Sequence, residues 1–173
     1  MAAPSVLFLS HHDAPFGALA LACDGEGRLR GVSFGEGLER VMRREYPGVV
    51  LNDGKTPDAV REGLDAYLAG DQSALGRIPW SLDGAVAADG FQARVWKALA
   101  DIPAGLTISY GEMARRAGEP GAAQATGVAL NRNPIAVVLP CHRVVGADGA
   151  MVGFGGGLER KTWLLRHEGA LLL

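Results

Sequence analysis

The sequence predicts an α/β N-terminal domain, a small antiparallel sheet with helices over residues 1–82. A linker at 83–89 follows, and then a mainly α C-terminal domain over 90–173. Three observations carry this prediction. Short apolar runs broken by a glycine turn fill the first 34 residues, and apolar residues then recur at helical spacing. A stretch rich in Ser, Asp, Gly and Ala next separates these from a long remainder with helical periodicity. A chain of 173 residues accommodates one ordinary domain or two small ones.

Val6-Leu7-Phe8-Leu9 reads as the first strand and residues 16–23 as the second. Asp24-Gly25-Glu26-Gly27 is a turn with two glycines able to take positive φ, and 29–34 returns as the hairpin partner. Leu38, Val41, Met42 and Tyr46 mark a helix over 37–46, stopped by Pro47. Thr56-Pro57 opens a second helix as N-cap and first helical residue. Val60, Leu64, Tyr67 and Leu68 form its buried stripe, and Gly70-Asp71 ends it. Residues 80–90 read as a last strand running into the linker.

In the second half, Phe91, Val95, Trp96 and Leu99 define one apolar helix face, followed by a loop at Pro103-Ala104-Gly105. Ser109 is placed to cap a helix running to Ala117, with Glu112 at the capping-box position. Gly118-Glu119-Pro120-Gly121 connects it to a second helix over about 122–131. Two short helices across a glycine turn fit an αα-hairpin in a helical core or a helix-turn-helix. Residues 149–157 hold five glycines in nine, without the strand context or the Lys-Ser/Thr of a phosphate-binding loop. Their low bulk suits close backbone approach to a ligand.

The apolar fraction of 48% and charged fraction of 21% are those of a globular protein. A net charge of −2 gives no overall attraction to nucleic acid. A local basic face is still available from Arg94, Lys97, Arg115, Arg116, Arg132 and Arg143. Cys23 and Cys141 are the two cysteines and form no C-x-x-C pair, which favours a reducing compartment over a disulfide scaffold. No secretory pattern and no bilayer-length apolar stretch is present, so a soluble, cytoplasmic protein is expected, with no membrane partner. His11, His12 and Cys23 lack paired ligand spacing, so no metal site is expected.

The most informative run is 133–145, NPIAVVLPCHRVV. It reads as an apolar strand ending at Pro140, with a thiol next, flanked by His142 and Arg143. Two neighbouring cations favour the thiolate, which is the nucleophilic form. An arbitrary free cysteine is more often a small buried hydrophobe. Here the Pro140-Cys141-His142-Arg143-Val144-Val145 run closely resembles the active-site signature of the O6-alkylguanine-DNA alkyltransferases, also called methylated-DNA–protein-cysteine methyltransferases. Residues 91–99, FQARVWKAL, resemble the family's first C-terminal-domain helix, and Ile108-Ser109-Tyr110-Gly111-Glu112-Met113-Ala114 its Ser-Tyr helix start. Gly156-Gly157-Leu158 and residues 161–169, KTWLLRHEG, resemble its closing helix. The resemblance spans roughly residues 88–169, and several motifs in one order are far more specific than a single short pattern.

The resemblance implies a single, irreversible transfer of an alkyl group from guanine O6 in double-stranded DNA to Cys141, after the base leaves the stack. O4-alkylthymine is a further candidate substrate. His142 would take the thiol proton, Glu168 would orient the imidazole, and Asn133 would brace the turn before the cysteine. Tyr110 would donate toward guanine N3 and crowd the phosphate of the flipped nucleotide. The carbonyls of Cys141 and Val144 would accept from the guanine amine. The N–H of Gly155 would donate to O6, and Phe154 and Met151 would line the pocket.

The resemblance also favours the helix-turn-helix over the αα-hairpin. Ala123, Gln124, Thr126, Arg132, Arg143 and Tyr110 would meet DNA. Gln124 stands where the family commonly places an intercalating arginine, a departure that removes a charge and some stacking. No cofactor and a monomeric state are expected. A non-repairing sensor like the alkyltransferase-like proteins is the alternative, but those replace the cysteine that this chain keeps. A cysteine hydrolase built on Cys141, His142 and Glu168 lacks an evident oxyanion motif.

Overall fold

The computed structural model describes residues 2–146 and 154–171. The chain forms two compact units, Met1–Ala88 with Pro134–Val138, and Asp89–Asn133 with Leu139–Leu173.

The first unit runs β1 (Val6–His12), β2 (Leu19–Cys23), β3 (Leu29–Phe34), α1 (Leu38–Glu45), β4 (Val50–Asp53) and α2 (Asp58–Leu68). The sheet order is β3-β2-β1-β4. The first three strands form an antiparallel meander, whereas β4 lies parallel to β1 with Val6 opposite Val50. The sheet is therefore mixed, which corrects the expectation of an antiparallel one. β4 is a four-residue edge strand with mostly exposed side chains, so it carries no apolar pattern to read.

Strand β2 starts at Leu19 because Gly17 turns the chain at φ 112° and donates to the Ala14 carbonyl at 3.0 Å. In the β2–β3 turn Gly27 alone of the two glycines takes positive φ. The Asp24 carboxylate accepts from the Glu26 and Arg28 amides, both at 3.0 Å, and fixes the turn. The α2 cap is Pro57, not Thr56, whose hydroxyl instead donates to Ser10 Oγ at 2.7 Å.

Leu7, Ala20, Ala22, Leu38, Met42 and Tyr46 form a core in which Ala85 is also buried. The Val86 amide donates to the Glu45 carbonyl at 2.8 Å. Residues 83–88 are thus part of the first unit and not a free linker. Trp80 makes a single bridge to Leu29 and no strand. His12 Nε2 lies 3.0 Å from Asp65 Oδ1, and no metal-binding cluster is present among the described residues.

The second unit comprises α3 (Phe91–Leu99), β5 (Ile108–Ser109), α4 (Tyr110–Arg116), α5 (Ala123–Asn131), a 3₁₀ turn (Cys141–Arg143), β6 (Val144–Val145) and α6 (Leu158–His167). Trp96 is fully buried and donates from Nε1 to the Ala129 carbonyl at 2.7 Å, tying α3 to α5. Ser109 caps α4 by accepting the Glu112 amide at 3.1 Å. The Glu112 carboxylate binds Arg115 and Arg116 on the surface, so Glu112 serves the surface instead of closing the box. Residues 117–122 link α4 to α5 with Gly118 and Gly121 both at φ 88°. No helix among the described residues is long and apolar enough to cross a membrane.

The run before the cysteine is not the expected strand. Ile135 forms one bridge, to Val32, and Val137 stands at φ 70°, the one non-glycine residue at positive φ among those described. A β-branched residue there is strained, and Pro134 and Pro140 lack the amides a strand needs.

Candidate active site

Cys141 opens the 3₁₀ turn and is 8% exposed. Asn133 Nδ2 donates to the Leu139 carbonyl at 2.8 Å, across the run that leads into the turn. Burial pushes the Cys141 thiol up, and the Asn133 side chain and the Lys161 ammonium only partly offset it. This corrects the expectation of a resting thiolate. The thiol keeps its proton until a base removes it. Cys23 is no competitor, because burial, with Asp24 beside it, pushes its thiol up to about 12.

The next two residues lead to a shared anion. His142 is fully buried, and its Nε2 lies 2.8 Å from Glu168 Oε2. Arg143 forks onto the same carboxylate, with Nε to Oε1 at 2.8 Å and Nη2 to Oε2 at 2.9 Å, and Nη1 donates to the Ile102 carbonyl. Burial alone would raise the Glu168 carboxyl, but its partners His142 and Arg143 hold it well below the usual carboxylate range. Burial lowers the His142 imidazole; Glu168 pulls it up, and Arg143 and Lys161 push it further down. The imidazole is therefore neutral. Glu168 can only accept, so Nε2 carries the proton. Nδ1 is the one buried side-chain nitrogen or oxygen without a hydrogen-bond partner among the described residues.

The β5–β6 pair, with Ile108 opposite Val144, holds the start of α4 beside the strand leaving the cysteine turn. Tyr110 begins α4 half-buried; burial and then Cys141 raise its phenol. The Val144 carbonyl accepts from Lys161 Nζ at 2.8 Å, and the same ammonium lies 5.9 Å from the Phe154 ring centroid. Gly155 is exposed, and a Cβ there would meet nothing within 4 Å. Met151 lies outside the described residues.

Sequence reasoning missed Lys161, which is 1% exposed. Its spacing held the signal: 161, 164, 165 and 168 form one helical stripe, and all four are buried.

The residues expected to meet DNA divide. Ala123, Gln124 and Arg132 are exposed. Thr126 is not, because it is fully buried and donates from Oγ1 to the Ala122 carbonyl at 2.8 Å. Arg143 is not either, since it is 5% exposed and spent on Glu168. Tyr110 Cε1 comes within 3.8 Å of where a Gly127 Cβ would stand, an ordinary contact distance, so the ring lies beside α5.

Residues 90–170 match the family model described as the DNA-binding domain of 6-O-methylguanine DNA methyltransferase. A methylated-DNA–protein-cysteine methyltransferase of Shigella flexneri is 42% identical over 166 residues, covering 92% of this chain and 94% of that protein. The chain belongs to the methylated-DNA–protein-cysteine methyltransferase family. Membership in this methyltransferase family extends well beyond the motifs of the second half. The O6-methylguanine methyltransferase of Mycobacterium tuberculosis has a TM-score of 0.72 at 38% identity, covering 94% of this chain and 93% of that one. The same organism's OGT in complex with DNA gives a TM-score of 0.71 at 36% identity, covering 95% and 92%. The N-terminal α/β unit is thus shared with these methyltransferases.

Proposed function

We propose that this chain repairs DNA by moving the alkyl group of O6-alkylguanine onto Cys141, once per molecule. The observation that carries the reading is the buried His142–Glu168 pair directly after Cys141 in the chain, in which the imidazole keeps one unpartnered nitrogen while burial keeps the thiol protonated. In the step, Nδ1 of His142 takes the thiol proton, directly or through one water. The sulfur attacks the alkyl carbon, an S–C bond forms and the C–O6 bond breaks. The electron pair goes to the guanine, which takes a proton at N3 from Tyr110; the phenolate then regains a proton through water as the His142 imidazolium releases the one it took from the thiol. The thioether has no hydrolysable bond, so the protein is spent.

The pocket follows the same reading. The carbonyls of Cys141 and Val144 accept from the guanine amine. A carbonyl has two lone pairs, so Val144 serves both Lys161 and the base. The Gly155 amide donates to O6, and Phe154 forms an aromatic wall. Asn133 braces the turn. Helices α4 and α5 act as a helix-turn-helix, with α5 on the duplex. Ala123 and Gln124 contact the site of the flipped base, and Arg132 meets phosphate. Gln124 faces the orphaned base where the family commonly uses arginine.

Cys141→Ser tests the assignment, because serine is nearly isosteric but far less nucleophilic at neutral pH. The variant should keep its fold and its affinity for duplex DNA and transfer nothing from an O6-methylguanine oligonucleotide. Stoichiometric transfer surviving in the variant, at Cys23 or at the serine, would overturn it.

A further inference from the structure

We infer that Arg143 is the positioning residue of this site: its grip on both oxygens of Glu168 holds His142 with the proton on Nε2 and leaves the Nδ1 lone pair for the thiol proton. Its purpose rests on the proposed transfer to Cys141, while the grip stands on the geometry itself. Both bonds of the fork are charge-assisted, at 2.8 and 2.9 Å, and both side chains are almost wholly buried. The third arm on the Ile102 carbonyl fixes the guanidinium plane.

A buried carboxylate needs a counter-charge. If His142 were its one partner, the imidazole would supply that charge by taking a second proton. Nδ1 would then be a donor and useless as a base. Arginine does not lose its proton in a protein, so Arg143 supplies the counter-charge at every accessible pH. The imidazole is then free to stay neutral, and the ionised Oε2 selects the Nε2–H tautomer. The other groups facing His142 are Lys161 from α6, which also disfavours an imidazolium, and the adjacent Cys141.

The test follows the ring nitrogens of His142 by NMR across pH, in a Cys141→Ser background that removes the thiol from the titration. With Arg143 present, the ring should be neutral at pH 7 with its proton on Nε2. Arg143→Met should make it an imidazolium at that pH. Arg143→Lys keeps the charge without the fork, so the ring should stay neutral but populate both tautomers. In the protein retaining Cys141, Arg143→Lys should slow alkyl transfer about tenfold to a hundredfold. A Met variant with a neutral Nε2–H ring at pH 7 overturns the role. Should that variant not fold, a single unchanged tautomer in Arg143→Lys overturns it. A parent protein that transfers no alkyl group defeats the proposed function instead, and leaves the ring titration to decide the grip.

Discussion

Lys161 Nζ donates to the Val144 carbonyl at 2.8 Å, which places a buried cation under the turn that carries Cys141. Burial lowers this ammonium and Cys141 raises it, so the two groups stabilise each other's charged forms.

Lys161→Met should therefore push the thiol up further, because burial remains and the ammonium's pull is lost. Alkylation of Cys141 by iodoacetamide, followed against pH, should begin at higher pH in this variant than in the parent. Lys161→Arg should retain the parent profile. Coincident profiles for parent and Met variant would mean that Lys161 acts by packing alone.

Glu168 is worth most where it is ionised. Its carboxyl lies below the usual range when folded, so its contribution is complete above the unfolded carboxyl's range. That contribution is lost as pH falls toward the folded value. Glu168→Gln leaves Arg143 buried without its anion and should destabilise the protein by about 3–5 kcal/mol at pH 7 in urea melts. The double variant with Arg143→Met should lose less than the sum of the two single losses, with a coupling of about 1–3 kcal/mol. Additive losses would contradict the fork seen between these side chains.

Gln124 separates DNA handling from chemistry. Gln124→Ala should slow repair of alkylated duplex more than reaction with free O6-benzylguanine, which needs no base flipping. Gln124→Arg should tighten duplex binding, with a gain that shrinks as salt rises. Equal slowing of both substrates by Gln124→Ala would make the residue structural.

The helices and the cysteine motif were legible because periodicity and caps are local. Trp96 sits on the stripe that spacing placed inward, and Ser109 caps the helix it was expected to cap. What stayed hidden depends on distant partners. Strand β4 is an exposed edge held by its pairing with β1, a relation no local pattern encodes. Arg143 and Arg132 look alike in sequence, yet Glu168, 25 residues further on, draws the first inside. Thr126 lies on the inner face of α5, where its methyl packs and its hydroxyl finds the Ala122 carbonyl. The resting state of Cys141 is not legible in the sequence, where two neighbouring candidate cations favour a thiolate. One of them is neutral and the other is paired, so burial prevails.

The most direct measurement is intact-protein mass spectrometry after incubation with duplex DNA containing O6-methylguanine, followed by peptide mapping. The account predicts that each molecule gains a single methyl group on Cys141, that the DNA loses one for each, and that no further turnover follows with excess substrate. An unchanged protein mass alongside intact damaged DNA, or repair without an adduct on Cys141, would contradict it.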